Sequence, residues 1–515
     1  MKHTHRFIFK LAAMAVAVFL VLGLLFLATG QEAPAETADD ASGSETGALP
    51  ATPLLTLGYS PADGFNPYIV NSSLVVQNSG LLFERLVEIT PSMELENRLA
   101  LSIETTDTQV VINLRGGCYF ADGTPIGIED VAACFRAAQE SVVYGGRFTH
   151  VADLAVVENS LVLTLSAPDS LFAYLCDIPI MKAAEVAEKQ PTASGRYTYG
   201  EENTLVKNSR SAFSESGPTT IRLSAVNSYD EMVSGLAVGN LNLYSAASDG
   251  SGSAGSGKES YYKTNQLVYL GVNSQSEKAI LNQSAGRALL SSLIDRRLLA
   301  EKGYYSRAYP ATGAINSFYP CVNSQQVILA EEDSSRLDEV MTALGYHRNE
   351  EGLWCTFEKD REVPLTLTLL ENGGSTYKEY ASALVAEQLL AQGITVNIVR
   401  AESFESYKQS AQFGDFELYI GEVKLYNNIN LSLFMPGGSL SSGLAQSEEL
   451  LAAYQAFKAN KSAAGQFEQV FAAQMPYIPL LWRYNTVISG FGVSGLDSSL
   501  SNTFYSVAGL SVTNP

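Results

Sequence analysis

The stretch LRGGCYFADGTPIGIEDVAACF, residues 114–135, decides the fold. It follows the segment TQVVINLR, in which apolar and polar residues alternate as in a half-buried β-strand. The letters DGTP at 122–125 are residue types of a tight turn, since glycine allows unusual φ angles and proline presets its own. Apolar residues at helical spacing follow. The stretch therefore predicts a strand, a turn and a helix in direct succession.

The helix that begins there carries Glu129 and Asp130 in its first turn, where carboxylates favour the positive end of the helix dipole. Its buried stripe is predicted at Val131, Cys134, Phe135 and Ala138. Further along, NQLVYLGVN (265–273) is typical of a strand, and AGRALLSSLIDRRLLAEKGY (285–304) is typical of one amphipathic helix stopped by Gly303. This alternation of helices with short strands predicts an α/β fold.

The N-terminal thirty residues have a composition of their own. Lys2, Arg6 and Lys10 precede an uninterrupted apolar run over 11–28. A basic end before an apolar run is the mark of an export signal, and the run is also near the length that spans a bilayer. A cleaved signal peptide and an uncleaved membrane anchor over residues 1–30 both stay open. Residues 31–50 are acidic and rich in Ala, Ser, Gly and Pro, which predicts a disordered stalk.

The charge of the chain argues against nucleic-acid binding. The net charge is −21, and without the three basic residues of the N-terminal segment the remainder stands at −24. Such a surface repels phosphate backbones. The five cysteines are scattered singly, which suits neither a disulfide framework nor a zinc site, and most are expected to be small buried hydrophobes.

Motifs that carry catalysis are missing from the sequence. After the N-terminal segment only His150 and His347 remain, in unrelated contexts, and no H-E-x-x-H or G-x-S-x-G occurs. The Gly/Ser-rich segment 245–260, expected to be a flexible loop, has P-loop spacing from Gly252 to Lys258. Glu259 stands there where a magnesium-binding Ser or Thr is required. We therefore expect no enzyme, no cofactor and no metal site.

Several segments, in sequence order, resemble the family 5 extracellular solute-binding proteins, the periplasmic oligopeptide- and dipeptide-binding class. Residues 114–135 resemble its F-x-D-G-T-P turn and E-D-V helix start. LGYSPADGFNPY (57–68) resembles its opening strand with an Asn-Pro turn, and LLSSLIDRRLLAE (289–301) resembles its A-I-D-R helix. MPYIPLLWRYN (475–485) resembles its final strand. The resemblance spans nearly the whole chain after the stalk.

This resemblance implies a two-lobed α/β fold of the periplasmic-binding-protein type (type II) with an extra subdomain. Lobe I is expected from 51–85, 195–265 and 475–515, and the inserted subdomain from 86–194. Lobe II is expected from 266–474. The ligand would be enclosed in the cleft between the lobes by hinge closure.

The resemblance also implies where the ligand binds: at Phe65, Asn66, Gly421, Glu422, Lys424, Trp482, Arg483 and Tyr484. Peptide-binding relatives commonly carry a W-x-x-D-Y-x-D-P-like stretch whose acid pairs with the ligand's α-ammonium. The corresponding stretch GEVKLYNNINLSLF (421–434) has Glu422 and Lys424 as its only ions, and Asn427 and Asn428 stand near the acidic positions. Glu422 as a substitute anchor and Glu422 as an unrelated loop charge both stay open.

The expected function is that of the extracytoplasmic substrate-binding component of an ABC importer, a monomer that captures peptides and delivers them to a membrane permease. Two alternatives remain. The same fold would bind a non-peptide solute such as a nickel chelate, a sugar or an opine, or the chain would be a membrane-anchored ligand sensor without a transport role. Gln31 stands where many tethered binding proteins have a lipid-modified cysteine. Attachment through residues 11–30 without lipid is therefore expected.

Overall fold

The structure, a computed structural model, describes residues 54–213, 216–246, 257–322 and 333–513. The expected signal or anchor and the stalk lie outside these residues, as does most of the Gly/Ser-rich segment 245–260. The described end of that segment differs from the expected loop, because Lys258–Ser260 already belongs to a strand. Among the described residues no helix is long and apolar enough to cross a membrane.

An eleven-stranded mixed sheet organises the fold. From one edge to the other its strands are Thr395–Arg400, Thr366–Glu371, Leu418–Lys424, Lys258–Val272, Tyr477–Ser489, Leu243–Ser245, Leu55–Tyr59, Thr220–Ala225, Thr204–Lys207 and Tyr197–Tyr199. Ala308–Pro310 pairs with Tyr477–Ser489 beside this path. The strands before Lys258–Val272 in this order come from the predicted lobe II segment, and those after Tyr477–Ser489 come from the predicted lobe I segments.

Two long antiparallel strands pass from one side of this sheet to the other. We call Lys258–Val272 the first crossing strand and Tyr477–Ser489 the second crossing strand. Their pairing shifts register between Lys263 and Leu267. Thr264 closes this irregularity, because its hydroxyl donates to the carbonyl of Arg483 at 2.7 Å and accepts from the amide of Gln266 at 3.2 Å. The crossing strands are thus continuous, with an irregularity in their pairing between Lys263 and Leu267.

The stretch that decides the fold has the predicted structure. A four-stranded antiparallel sheet holds Ala100–Thr106, Gln109–Leu114, Ser160–Leu165 and Val151–Val157. Asp122 accepts the Thr124 amide in the turn at 3.0 Å, and the helix Ile128–Glu140 follows. The Asp130 carboxylate accepts the Gly127 amide at 2.9 Å and so caps the helix start. All four residues of the predicted stripe are buried.

The remaining elements surround these sheets. The other helices are Ser73–Leu82, Tyr229–Ala237, Ala279–Asn282, Ser284–Ser292, Arg296–Leu298, Leu337–Ala343, Thr376–Ala391, Phe404–Phe413, Glu448–Ala459 and Ala464–Gln474, with a π-helical turn at Leu299–Gly303. Short 3-10 turns are Gly145–Phe148, Phe172–Leu175, Ala183–Glu185, Ser432–Phe434, Lys461–Ala463 and Val507–Gly509. The small strands are Val87–Ile89, Leu95–Asn97, His347–Arg348, Trp354–Glu358, Arg361–Pro364, Val493–Ser494 and Ser511–Val512.

The prediction of one continuous helix over 285–304 is wrong. The helix ends at Ser292, and Asp295 has an extended backbone with φ −72° and ψ 99°. Its carboxylate accepts the amides of Arg297 and Leu298 at 2.9 and 3.0 Å and starts a new helical turn. An aspartate in this position competes with the backbone for hydrogen bonds and favours a cap over a helix interior.

Two large hydrophobic cores fill the fold. One lies mainly among the predicted lobe II residues, and it also includes Leu171 and Tyr174 of the predicted inserted subdomain and Tyr477 and Trp482 of the predicted lobe I segment 475–515. The other lies among the predicted lobe I and subdomain residues. Four of the five cysteines are buried, as expected, and Cys321 is half-buried; all five are free thiols. The subdomain therefore packs against both halves of the sheet.

Candidate ligand-binding site

The strand Leu418–Lys424 has one paired edge and one partly free edge. The first crossing strand pairs with it along its whole length. On the other side Thr366–Glu371 pairs only with Leu418 and Tyr419. From Gly421 to Lys424 no described strand pairs with this second edge, which we call the free edge. Its backbone N–H and C=O groups are a template on which an extended chain can add as a further strand.

Position 421, the first residue of the free edge, requires a glycine because of packing. Tyr269 lies directly opposite in the register of the two strands. A Cβ at Gly421 would lie 2.2 Å from Cζ of the Tyr269 ring, which is buried and whose hydroxyl is 3.0 Å from that of Tyr419. A larger residue would displace this aromatic pair, so glycine is required for the two strands to approach.

The Glu422 carboxylate is buried in a cluster of cations. Arg483 Nη1 lies 2.7 Å from Oε1 of Glu422, with both side chains less than a tenth exposed. Lys378 Nζ lies 3.9 Å from Oε2, and Gln266 donates an amide hydrogen bond to Oε1. The group that the sequence put forward as an amine anchor is therefore already paired within the protein.

Two tyrosines support the arginine of this pair. The Arg483 guanidinium lies 4.7 Å from the ring centroid of Tyr377 and 5.6 Å from that of Tyr304. These two rings stack with centroids 5.1 Å apart. Burial raises the pKa of the Tyr304 hydroxyl well above its usual value, so the ring stays neutral beside the ion pair. Sequence patterns did not indicate this support, since the two tyrosines come from segments distant from Arg483.

Lys424 ends the free edge in a different environment. Its side chain is exposed, and no carboxylate of the described residues lies within ion-pair distance of it. Arg147 and Asp177 of the predicted subdomain lie nearby and pair with each other at 2.6 Å. Partial desolvation, with a further effect from Arg147, lowers the pKa of Lys424, and Asp177 opposes this. Lys424 is thus a cation that solvent reaches, although neighbouring residues partly desolvate its ammonium group.

Trp482 and Tyr484 flank Arg483 on the second crossing strand. Trp482 is 1 % exposed and belongs to the protein core. Tyr484 is half-buried, with its ring centroid 4.8 Å from that of Tyr309 and 6.0 Å from that of Tyr261. Of the three residues predicted here, Tyr484 is the one that solvent reaches most readily.

Phe65 and Asn66 are buried, and Phe65 belongs to the core that residues of the predicted lobe I and subdomain form together. Phe65 is 6 % exposed and stacks on Tyr59 with ring centroids 5.9 Å apart. The Asn66 side chain is fully buried and donates to the carbonyls of Val186 and Glu188 at 2.9 and 2.8 Å. The structure gives both residues contacts within the protein and does not bring them together with Glu422 and Lys424.

The segment after Lys424 binds the predicted subdomain through two consecutive asparagines. Asn427 Nδ2 donates to Oδ2 of Asp177 at 3.0 Å, and Asn428 Nδ2 donates to Oδ2 of Asp169 at 2.6 Å. Lys458 Nζ lies 2.7 Å from Oδ1 of Asp169. Although burial alone raises the pKa of Asp169, Lys458, His150 and Asn428 hold it below its usual value.

These contacts join the predicted subdomain to the predicted lobe II, and sequence reasoning missed them. The only hint was the pair of amides at 427–428, where peptide-binding relatives have acids. Amides rather than acids suit positions 427 and 428 because their partners, Asp177 and Asp169, are carboxylates.

Comparison with known proteins identifies the family. Residues 94–428 match the bacterial extracellular solute-binding proteins, family 5 (middle part). This covers more than half of the sequence, so the chain belongs to that family. Members of the family are extracytoplasmic binding proteins. No protein of curated function matches the chain.

Solved structures share the fold over nearly the whole chain. A nickel ABC transporter protein from Bacillus halodurans is similar with a TM-score of 0.71 at 17 % identity, covering 89 % of this chain and 99 % of that one. The periplasmic murein tripeptide-binding protein MppA, in an unliganded open form, gives a TM-score of 0.70 at 17 % identity, covering 90 % and 99 %. The putative peptide-binding protein AppA from Clostridium difficile gives 0.67 at 17 % identity, covering 89 % and 100 %. The two-lobed periplasmic-binding-protein fold follows.

Proposed function

We propose that this chain captures peptides between its lobes and delivers them to the permease of an ABC importer. The observation that carries the proposal is the free edge Gly421–Lys424, which lies beside the crossing strands where the sheet passes from one lobe to the other. An extended peptide pairs with such an edge through its main chain, which gives affinity with little demand on side-chain sequence. The binding involves no chemical conversion of the peptide.

The similar structures are consistent with a peptide as the ligand. Two of the similar structures are those of a putative peptide-binding protein and a murein tripeptide-binding protein, and a third is that of a nickel transporter protein. Within the described residues no group of three or more His, Cys, Asp and Glu side chains comes together in a metal-binding arrangement. A nickel chelate, a sugar or an opine remains the alternative ligand, and a membrane-anchored sensor remains the alternative role.

Within this proposal the eight predicted site residues have different parts. Lys424 and Tyr484 face the ligand, and Glu422 with Arg483 forms the floor beside the free edge. Gly421 and Trp482 shape the strands, and Phe65 and Asn66 hold the lobe I core. The protein acts as a monomer on the outer side of the membrane, attached through residues 11–30.

Capture requires the lobes to move about the crossing strands. The register shift between Lys263 and Leu267, which the Thr264 hydroxyl bridges, is the proposed hinge. Small-angle scattering of the full chain, with and without a peptide mixture, tests this. The radius of gyration should fall on binding. An unchanged radius under conditions where calorimetry shows binding would rule out hinge closure.

A further inference from the structure

The charges beside the free edge are out of balance, and their sign is opposite to that of the protein. Among the residues that the structure describes, four cations and two carboxylates meet there: Lys378, Lys424, Arg147, Arg483, Glu422 and Asp177. This leaves an excess of two positive charges in a chain whose net charge is −21. Charges farther away than about 10 Å are largely screened at ordinary salt, so a ligand at the edge meets the local excess.

Neither carboxylate of this group is available to a ligand's ammonium. Glu422 is shared between Arg483 and Lys378. Asp177 is 5 % exposed and is held by Arg147 at 2.6 Å and by Asn427 at 3.0 Å. A ligand cation that took either carboxylate would break an ion pair whose side chains are at most 17 % exposed, which is costly.

Lys424 is the group that remains open. Each of the other three cations has a carboxylate within 4 Å, and Lys424 has none among the described residues. Its side chain is exposed at the very end of the free edge. A carboxylate brought there by a ligand gains a charge-assisted hydrogen bond without breaking any contact of the protein.

We infer that the ligand is an anion whose carboxylate binds Lys424, so that a bound peptide runs parallel to the strand Leu418–Lys424 with its C-terminus at Lys424. Only the identity of the ligand as a peptide rests on the proposed function; the anion site rests on the charges beside the free edge. The free edge of four residues is about 13 Å long at about 3.3 Å per residue, which suits a tetrapeptide. Its α-ammonium would lie toward Gly421 and would need no acid.

Calorimetry on the full chain with three probes tests the inference: tetraalanine, its C-terminal amide and N-acetyl-tetraalanine. The free acid should bind at least about tenfold more tightly than the amide, about 1.4 kcal/mol, and N-acetylation should change little. Lys424→Met should bring the Kd of the acid up to that of the amide, and Lys424→Arg should preserve the preference. Lys408→Met, which removes an exposed lysine elsewhere, is the matched control and should bind as the wild type does.

The other possible results distinguish failure of the anion inference from failure of peptide capture. Equal affinity for acid and amide, or a loss confined to the N-acetylated peptide, overturns the anion inference and leaves peptide capture standing. If none of the three peptides binds, peptide capture fails, and glutarate serves as the remaining probe. Binding of glutarate that Lys424→Met abolishes then upholds the anion site alone, and no binding of glutarate overturns it as well.

Discussion

Asn427 Nδ2 donates to Oδ2 of Asp177 at 3.0 Å, and this bond joins the segment after the strand Leu418–Lys424 to the predicted subdomain. The next residue, Asn428, makes the equivalent bond to Asp169. Two amides in succession therefore face two carboxylates. The acids that peptide-binding relatives carry near these positions would repel both partners here, so the departure from the family pattern has a local cause.

We predict that Asn427→Asp weakens this junction. The new carboxylate would lie about 3 Å from Asp177, and like charges at that distance raise one pKa or force separation, at a cost of about 2 kcal/mol. Urea unfolding at neutral pH should show the loss, and the loss should shrink in acid. Asn430→Asp is the control, because Asn430 Oδ1 accepts from Ser432 N at 3.0 Å and a carboxylate can do the same. Equal stability of the two variants would contradict the account.

Glu422→Gln should destabilise the fold and leave ligand selectivity unchanged. Removing one partner of a buried ion pair costs about 3 kcal/mol, since the Arg483 guanidinium would lose the carboxylate that lies 2.7 Å from it. Urea unfolding measures this, and Glu405→Gln, in an exposed pair with Lys408, should change stability by less than about 0.5 kcal/mol. Unchanged stability with a selective loss of free-amine peptides would restore Glu422 as an amine anchor.

Gly421→Ala should disturb the packing of the free edge. The added methyl group meets the Tyr269 ring at 2.2 Å, and overpacking of this kind costs about 1–3 kcal/mol. Gly116→Ala is the matched control, because nothing lies within 4 Å of a Cβ at that position. Chemical unfolding of both variants gives the comparison. A Gly421→Ala protein as stable as the wild type would show that the Tyr269 ring has room to move.

Glu468 should make stability fall as the pH rises. Its carboxylate accepts the amides of Ala314 and Ile315 at 2.9 and 2.7 Å, yet burial outweighs these bonds and raises its pKa to about 7. The folded state therefore holds a proton that the unfolded state releases above its own pKa. The contribution of Glu468 to the free energy of unfolding is complete below about pH 4.5. It decreases by about 3 kcal/mol as the pH rises from there through 7. Unfolding free energies at pH 5 and pH 8 should show this decline in the wild type and lack it in Glu468→Gln. A variant with the same decline would show that other groups cause it.

Local patterns predicted much of the fold. The strand, turn and helix over 109–140 were readable because each depends on residues close in sequence, such as Asp122 with Thr124 and Asp130 with Gly127. The break at Asp295 was missed because apolar spacing continued through it, although an aspartate there is itself a cap signal. The boundaries of the lobes stay a prediction.

The site was harder to predict, because its electrostatics depend on tertiary contacts. Glu422 and Arg483 were both named from the sequence, but their pairing joins residues 61 positions apart. The consequence is that Glu422 has cationic partners, whereas Lys424 has no carboxylate partner among the described residues, and it follows only from these tertiary contacts. Phe65 and Asn66 resembled site residues in type and position, and their burial depends on contacts with the segment 186–189.

Native mass spectrometry of the full chain, purified without denaturation from the cells that make it, tests peptide capture most directly. We predict an added mass that fragments into amino-acid residues and that tetraalanine displaces. An added mass containing nickel or hexose would contradict the account, as would a protein that carries no ligand and stays unliganded in the presence of tetraalanine.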